Sequence, residues 1–225
     1  MAPPFLAYYA ADKSDASLLS QVVQLCNQYR QVLRANITGP SEGTWEHIIG
    51  PQSQDTGLWS TGNGWAAAGM ARVLAVVMKS PIAAKQTWRY KAQGQLRNYI
   101  REIIDGAMAS PQSNDLLRNY LNDVTDGHGF GETSGTSLLA AVTYRMAVLY
   151  PEVFGSSYIQ WADAVRTTLG NGHHISSNGT VYPAVNPLNW YDTKPYTAGS
   201  PEGNNFVVLM YAAWRDCVQA GICSR

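Results

Sequence analysis

The chain has 225 residues, 45% of them hydrophobic and 14% charged, which suits one large domain burying about 70% of its unfolded surface. Sixteen basic and sixteen acidic residues cancel, arguing against a nucleic-acid partner, because phosphate contacts need clustered positive charge. No apolar run reaches the ~18 residues of a membrane helix, and seven Trp and thirteen Tyr supply core material that disordered chains lack.

In chain order, Met1 to Ala11 is apolar on most faces, so a buried helix is expected. Ser17 to Arg34 carries Leu18, Leu19, Val22, Val23, Cys26, Tyr29, Val32 and Leu33 along one face, the pattern of a helix with one wet side. A long loop then runs to Asn63. Trp65 to Met78 is again apolar nearly all round, and a short connection through Pro81 leads to an amphipathic helix over Lys85 to Met108. A Gly/Asp-rich stretch from Asn122 to Thr133 precedes a third all-apolar helix, Ser137 to Tyr150. After a turn at Pro151 come an amphipathic helix, Tyr158 to Leu169, a long loop from Gly170 to Glu202 with room for short strands near Val181, and a fourth apolar helix, Phe206 to Val218.

Buried and amphipathic helices therefore alternate. Antiparallel helices in series bring alternate loops to the same end, so the long loops share one face and each leads into a buried helix. The expected architecture is all-α: two concentric helical layers with an elaborated mouth, an α/α toroid or an arc of one, in a single domain spanning residues 1–225.

The lead-ins to the buried helices carry the chemistry. They read Leu58-Trp59-Ser60-Thr61-Gly62-Asn63-Gly64-Trp65, Gly131-Glu132-Thr133-Ser134-Gly135-Thr136 and Gly199-Ser200-Pro201-Glu202-Gly203. Ser, Thr and Asn cap helices, and Gly lets a ligand approach the backbone. Three converging helix N-termini present free N–H groups and positive dipole ends, a spot suited to an anion such as a sugar carboxylate. Ordinary capping explains any one lead-in equally well.

Taken in order, these three runs resemble glycoside hydrolase family 105, the unsaturated rhamnogalacturonyl hydrolases, with the fungal branch most similar, over Met1 to about Cys223. The resemblance implies an (α/α)6 toroid of six hairpins. It implies removal of a 4,5-unsaturated galacturonyl residue from pectin-derived oligosaccharides by hydration of the vinyl ether, with an Asp as general acid and then base. Trp59, Gly62, Asn63, Gly64 and Trp65 match the family's Trp-x-Arg-Gly-Asn-Gly-Trp motif, whose tryptophans wall the pocket. Thr61 stands where bacterial members have Arg. His47, in Trp45-Glu46-His47, matches the histidine that approaches the unsaturated sugar. Glu132, Thr133, Ser134 and Thr136 match the third motif, Ser and Thr as hydrogen bonders. The family's catalytic Asp precedes the segment matched by Met1 to Leu6, so the expectation is a chain that starts after it: an incomplete arc of about seven helices against twelve, inactive alone, and self-associating through its open edges. Phe5, Leu6, Tyr8 and Tyr9 are expected at such an edge.

Within the chain, Asp55, Asp126, Glu132, Asp192 and Glu202 lie in mouth loops, where solvated carboxylates are the expectation rather than the raised pKa of a general acid. Asp126-Gly127-His128-Gly129 hints at a cation loop but lacks the spaced carboxylates of a calcium site. No metal or cofactor is expected, and the partner implied is an unsaturated uronyl oligosaccharide. The competing reading is a non-catalytic helical remnant that holds uronates or a partner. A terpenoid-cyclase toroid would need an Asp-rich metal motif. Cys217 and Cys223 are left open between a pair and free thiols. The start MAPPFLAYYAADKSD shows no signal peptide, while the sequons at Asn36 and Asn178 raise the expectation of secretion for the full-length protein.

Overall fold

The computed structural model describes residues 2–125, 127–192 and 194–225. In chain order its elements are α1 (Ala2–Asp12), α2 (Ala16–Leu33), α3 (Ser60–Lys79), α4 (Pro81–Ala84), α5 (Arg89–Ala109), β1 (Gln112–Ser113), β2 (Leu116–Leu117), α6 (Thr133–Leu149), α7 (Ser156–Gly170) and α8 (Pro201–Gln219). Helices α1, α3, α6 and α8 pack side by side in that order, and α2, α5 and α7 pack behind α1, α3 and α6 respectively. The chain is thus a double-layered helical arc of the six-hairpin type, with an inner and an outer row.

Helix character follows from sequence. The outer helices keep one apolar stripe: Leu96, Ile100, Ile103 and Ile104 of α5 are buried while its opposite face is wet. The inner α6 buries nearly every residue from Thr133 to Ala147, because neighbours flank it on three sides and its many small side chains permit close approach.

The expected boundaries shift in an informative way. The inner helices α3, α6 and α8 begin at Ser60, Thr133 and Pro201, earlier than their apolar runs, because the polar Gly/Ser/Thr lead-ins form the first helical turn rather than the loop before it. The helix expected over Lys85 to Met108 starts later, as α5 at Arg89, and the connection expected through Pro81 holds the short helix α4, started by that proline. The β1–β2 hairpin was not anticipated. Its turn residues Asn114 and Asp115 both take positive φ, 53° and 60°, a conformation that Asn and Asp tolerate best among residues with side chains.

At the two ends of the inner row the reading of all-round burial gives way, and Phe5, Tyr8 and Tyr9, though not Leu6, lie at the expected edge. On α1, Phe5 is 66% exposed and Tyr8 and Tyr9 are 46% exposed each, while Leu6 packs against the core. On α8, Val208 and Leu209 are exposed. Both helices have an apolar face without a neighbour among the described residues. Met1 lies outside those residues. Cys217 and Cys223 form a disulfide and Cys26 is a buried free thiol. No described helix is long and apolar enough to cross a membrane.

Candidate functional site

An open cleft of about 220 Å³ lies between the start of α1, one face of α2 and the first half of α3, and it is lined by Pro4, Tyr29, Glu46, His47, Trp59 and Trp65 among others. Its wall is part of the long loop between α2 and α3, pinned to α3 by Asn63. The buried Asn63 side chain accepts from the Trp45 backbone N–H at 2.8 Å and donates to the Trp45 and Trp59 carbonyls at 3.0 and 2.9 Å. The loop then doubles back: His47 N–H donates to the Gly57 carbonyl, and Ile48 and Asp55 exchange backbone hydrogen bonds. This pairing brings Asp55 beside His47.

The His47 ring is held on three sides. Its Nδ1 lies 2.8 Å from Asp55 Oδ2. Trp59 packs against it with ring centroids 4.5 Å apart, and Trp190, from the long loop before α8, approaches edge-on at 5.0 Å. Tyr120 Oη–H donates to the same Asp55 oxygen at 2.5 Å, and the Gly57 N–H donates to the other at 2.9 Å. Trp59 in turn donates its indole N–H to Asn119 Oδ1 at 3.0 Å. Trp65, six residues further along in α3, meets Phe206 of α8 edge-on at 5.1 Å.

Partial burial by itself would raise the Asp55 pKa, but the donors Tyr120, His47 and Gly57 outweigh it and hold the carboxyl below its ordinary value. Burial, together with the bond to the Asp55 carboxylate, pushes the Tyr120 phenol far above its ordinary value. The trio therefore consists of a carboxylate, a fixed neutral phenol and an imidazole between aromatic walls.

The expected anion spot has a different occupant. The N-termini of α3 and α6 do converge: a Cβ at Gly135 would lie 2.4 Å from Ser60 Oγ and 2.6 Å from the Thr61 nitrogen. The carboxylate between them is the chain's own Glu132. It is 0% exposed and accepts from Ser60 Oγ at 2.7 Å, Thr61 Oγ1 at 3.3 Å, the Ser134 N–H at 2.7 Å and the Gly135 N–H at 2.5 Å. It caps α6 and stitches it to α3, and burial pushes its pKa up against the pull of these donors. The expectation of Glu132 as a solvated loop carboxylate is therefore corrected. Thr61, Thr133, Ser134 and Thr136 are also fully buried, and Thr136 Oγ1 accepts from the Leu117 N–H while donating to the Glu132 carbonyl. These four lie behind the cleft wall, and they do not line it. His47, Trp59 and Trp65 do line it; Asn63 supports it from behind.

Three participants escaped sequence reasoning. Asp55 is weighed in the sequence as a general acid and read as a solvated carboxylate, not as a partner of His47, and Tyr120 and Trp190 carry no local signal, since each reaches His47 or its partner only through tertiary folding. Among the described residues no group of three or more His, Cys, Asp or Glu is placed to hold a metal ion. The Asp126-Gly127-His128-Gly129 run, which only hints at a cation loop, includes Asp126, which lies outside the described residues; nearby, Asp123 accepts from the Thr125 and His128 N–H groups and closes a turn.

No curated protein matches the sequence significantly. Among solved structures, a possible member of glycoside hydrolase family 105 from Salmonella enterica serovar Paratyphi A is similar with TM-score 0.75 at 16% identity, over 96% of this chain and 55% of that one. A family 88 glycosyl hydrolase from Bacteroides vulgatus gives 0.72 at 15% identity, over 99% of this chain and 61% of that one. A polysaccharide lyase gives 0.73 at 14% identity, over 100% and 61%. At such identities the likeness shows the fold alone, and the chain spans just over half to about three-fifths of these structures. The fold resemblance read from the three motifs is borne out. The Glycosyl Hydrolase Family 88 profile matches residues 1–211, nearly the whole sequence, and the chain belongs to that family.

Proposed function

We propose that the cleft binds the unsaturated uronyl residue at the non-reducing end of a pectin-derived oligosaccharide, as part of a glycoside hydrolase acting by vinyl-ether hydration. In that reaction a proton is delivered to C4 and water adds at C5. The resulting hemiketal opens, and the aglycone leaves from C1. The single observation that carries this reading is His47 set between Trp59 and Trp190 at the wall of a cleft shared with Trp65. Indole faces suit the apolar faces of a sugar ring, and a histidine between them supplies a directed polar contact.

A specific observation also favours the second reading, uronate binding without turnover by this chain. Asp55 is held ionised by three donors and Glu132 is sealed, so neither is poised as a general acid. Glu46, which lines the cleft, is the remaining carboxyl there among the described residues. Calorimetry with a 4,5-unsaturated galacturonyl disaccharide tests binding, and loss of the double bond's ultraviolet absorbance tests turnover. Binding is expected, with Trp59→Ala weakening it by about 30-fold, as for a buried aromatic anchor. No binding by the wild-type chain would overturn both readings. Turnover that survives Glu46→Gln and vanishes in Asp55→Asn would overturn the assignment of Asp55 as non-acid.

Two further proposals concern context. The disulfide Cys217–Cys223 and the exposed Asn36 and Asn178 sequons support passage through an oxidising, glycosylating compartment. The exposed apolar faces of α1 and α8 support self-association, which light scattering reads; a monomer at high concentration would refute it.

A further inference from the structure

We infer that Asp55, itself anchored by Tyr120 and the Gly57 N–H, is a positioning residue: it fixes the tautomer of His47 so that Nε2, without a proton, faces the cleft as a hydrogen-bond acceptor. The geometry has four independent parts. The His47 Nδ1 to Asp55 Oδ2 distance of 2.8 Å is a direct hydrogen bond, and an ionised carboxylate only accepts, so the proton of the neutral imidazole belongs on Nδ1. The carboxylate cannot swing away, because Gly57 N–H holds one oxygen and Tyr120 Oη–H the other. Packing on Trp59 and Trp190 holds the plane of the ring, and a 180° flip within that plane would put the carbon Cδ2 opposite Asp55 in place of Nδ1 and lose the hydrogen bond. Finally, Nε2 makes no hydrogen bond within the described residues, nor is it among their buried polar atoms without partners, and His47 lines the cleft.

Which nitrogen of a histidine carries the proton is set by the hydrogen bond that the other makes. Here the outcome is an acceptor on the cleft side. It selects a ligand group that donates, a sugar hydroxyl or a water held against the sugar. Tyr120 and Asp55 touch no ligand in this scheme; they act through His47. The arm of the test that uses an unsaturated uronyl disaccharide rests on the binding proposed above, whereas the tautomer arm does not.

The experiment is two-bond ¹⁵N–¹H correlation NMR of the His47 ring in the 225-residue chain, at a pH well above histidine's ordinary pKa of about 6.5, with thermal melting run in parallel. The wild type is expected as the Nδ1–H tautomer. In Asp55→Asn the carboxamide keeps its shape and presents an N–H toward His47 Nδ1, so the tautomer is expected to invert to Nε2–H. A merely structural role would lower the melting temperature without moving the proton. Affinity for the disaccharide is expected to fall roughly tenfold, one hydrogen bond's worth. A wild-type Nε2–H tautomer, or an Nδ1–H tautomer that persists in Asp55→Asn, would overturn the inference. Should that variant fail to fold, the wild-type tautomer alone decides. An inverted tautomer with undiminished binding would leave the positioning intact and overturn the placement of the disaccharide at His47.

Discussion

Glu132 and Asp55 both gather hydrogen-bond donors from distant parts of the chain, but they end in opposite states. Glu132 sits between the first turns of two inner helices with no exposed surface, and burial dominates, raising its pKa. Asp55 sits at the cleft wall with a side chain 17% exposed, and its donors dominate, lowering its pKa. The donor sets are similar in size: two hydroxyls and two N–H groups for Glu132, and a phenol, an imidazole and one N–H for Asp55. What separates them is residual solvent, which decides whether the charged form is penalised more than its bonds repay. A sealed carboxyl serves as a rivet between helices, whereas a wet-edged one serves as a fixed negative charge that can orient a neighbour.

The sharpest break of this contrast is Glu132→Ala. It strips four donors of their acceptor inside the inner layer and is expected to cost about 3–5 kcal/mol, read as a lowered midpoint in chemical denaturation. Asp55→Ala is expected to cost distinctly less, because water reaches its partners; equal losses would mean that both carboxylates are structural rivets. Next is Gly135→Ala. Its Cβ would meet Ser60 and Thr61 backbone atoms at 2.6 Å, so the α3–α6 seam must open, at the upper end of the ~1–3 kcal/mol typical of overpacking. Smaller still is Tyr120→Phe, which removes one hydrogen bond to a charged acceptor, about 1.5 kcal/mol. It is also expected to move the Asp55 pKa up toward the ordinary value, readable by carboxyl ¹³C NMR.

The smallest effect is a difference of sign with pH. The depressed folded-state pKa of Asp55 means that its stabilisation is full above the ordinary carboxylate range and is lost as pH falls through the folded value. Glu132, with a raised folded-state pKa, behaves oppositely: its contribution is full below the ordinary range and is lost as pH rises through the folded value. Melting temperatures of Asp55→Asn and Glu132→Gln against wild type, followed across the acid range, are expected to give difference curves of opposite slope. Parallel slopes would show that both carboxyls titrate in the same direction relative to the unfolded chain.

The helical layers were legible in the sequence because periodicity is local. Leu96, Ile100, Ile103 and Ile104 mark an outer helix whatever they pack against, and the absence of a wet face over Ser137 to Tyr150 marks an inner one. The ends of the inner row were legible only in part. Phe5, Leu6, Tyr8 and Tyr9 were all expected at an edge, but only Phe5, Tyr8 and Tyr9 are exposed while Leu6 packs inward, a division that depends on which helices stand beside α1. At the site, the Gly-rich lead-ins were visible, but their meaning was not. A glutamate three positions before a glycine could have been read as an N-cap to the helix it begins. That Ser60 and Thr61 donate to the same carboxylate could not, because they lie 72 and 71 positions away in the chain.

By itself, the sequence determined the alternation of helix types and the closeness of Trp59 and Trp65 along one short stretch. Each rests on backbone preferences or side-chain spacing within a few residues. Tertiary structure alone decided that Tyr120, 65 positions from Asp55, completes the hydrogen bonding behind His47, that Trp190 covers its ring, and that Glu132 is sealed. Burial and hydrogen-bond partnership are properties of the packed layers, and a carboxylate's chemistry is set by how much water the packing leaves beside it.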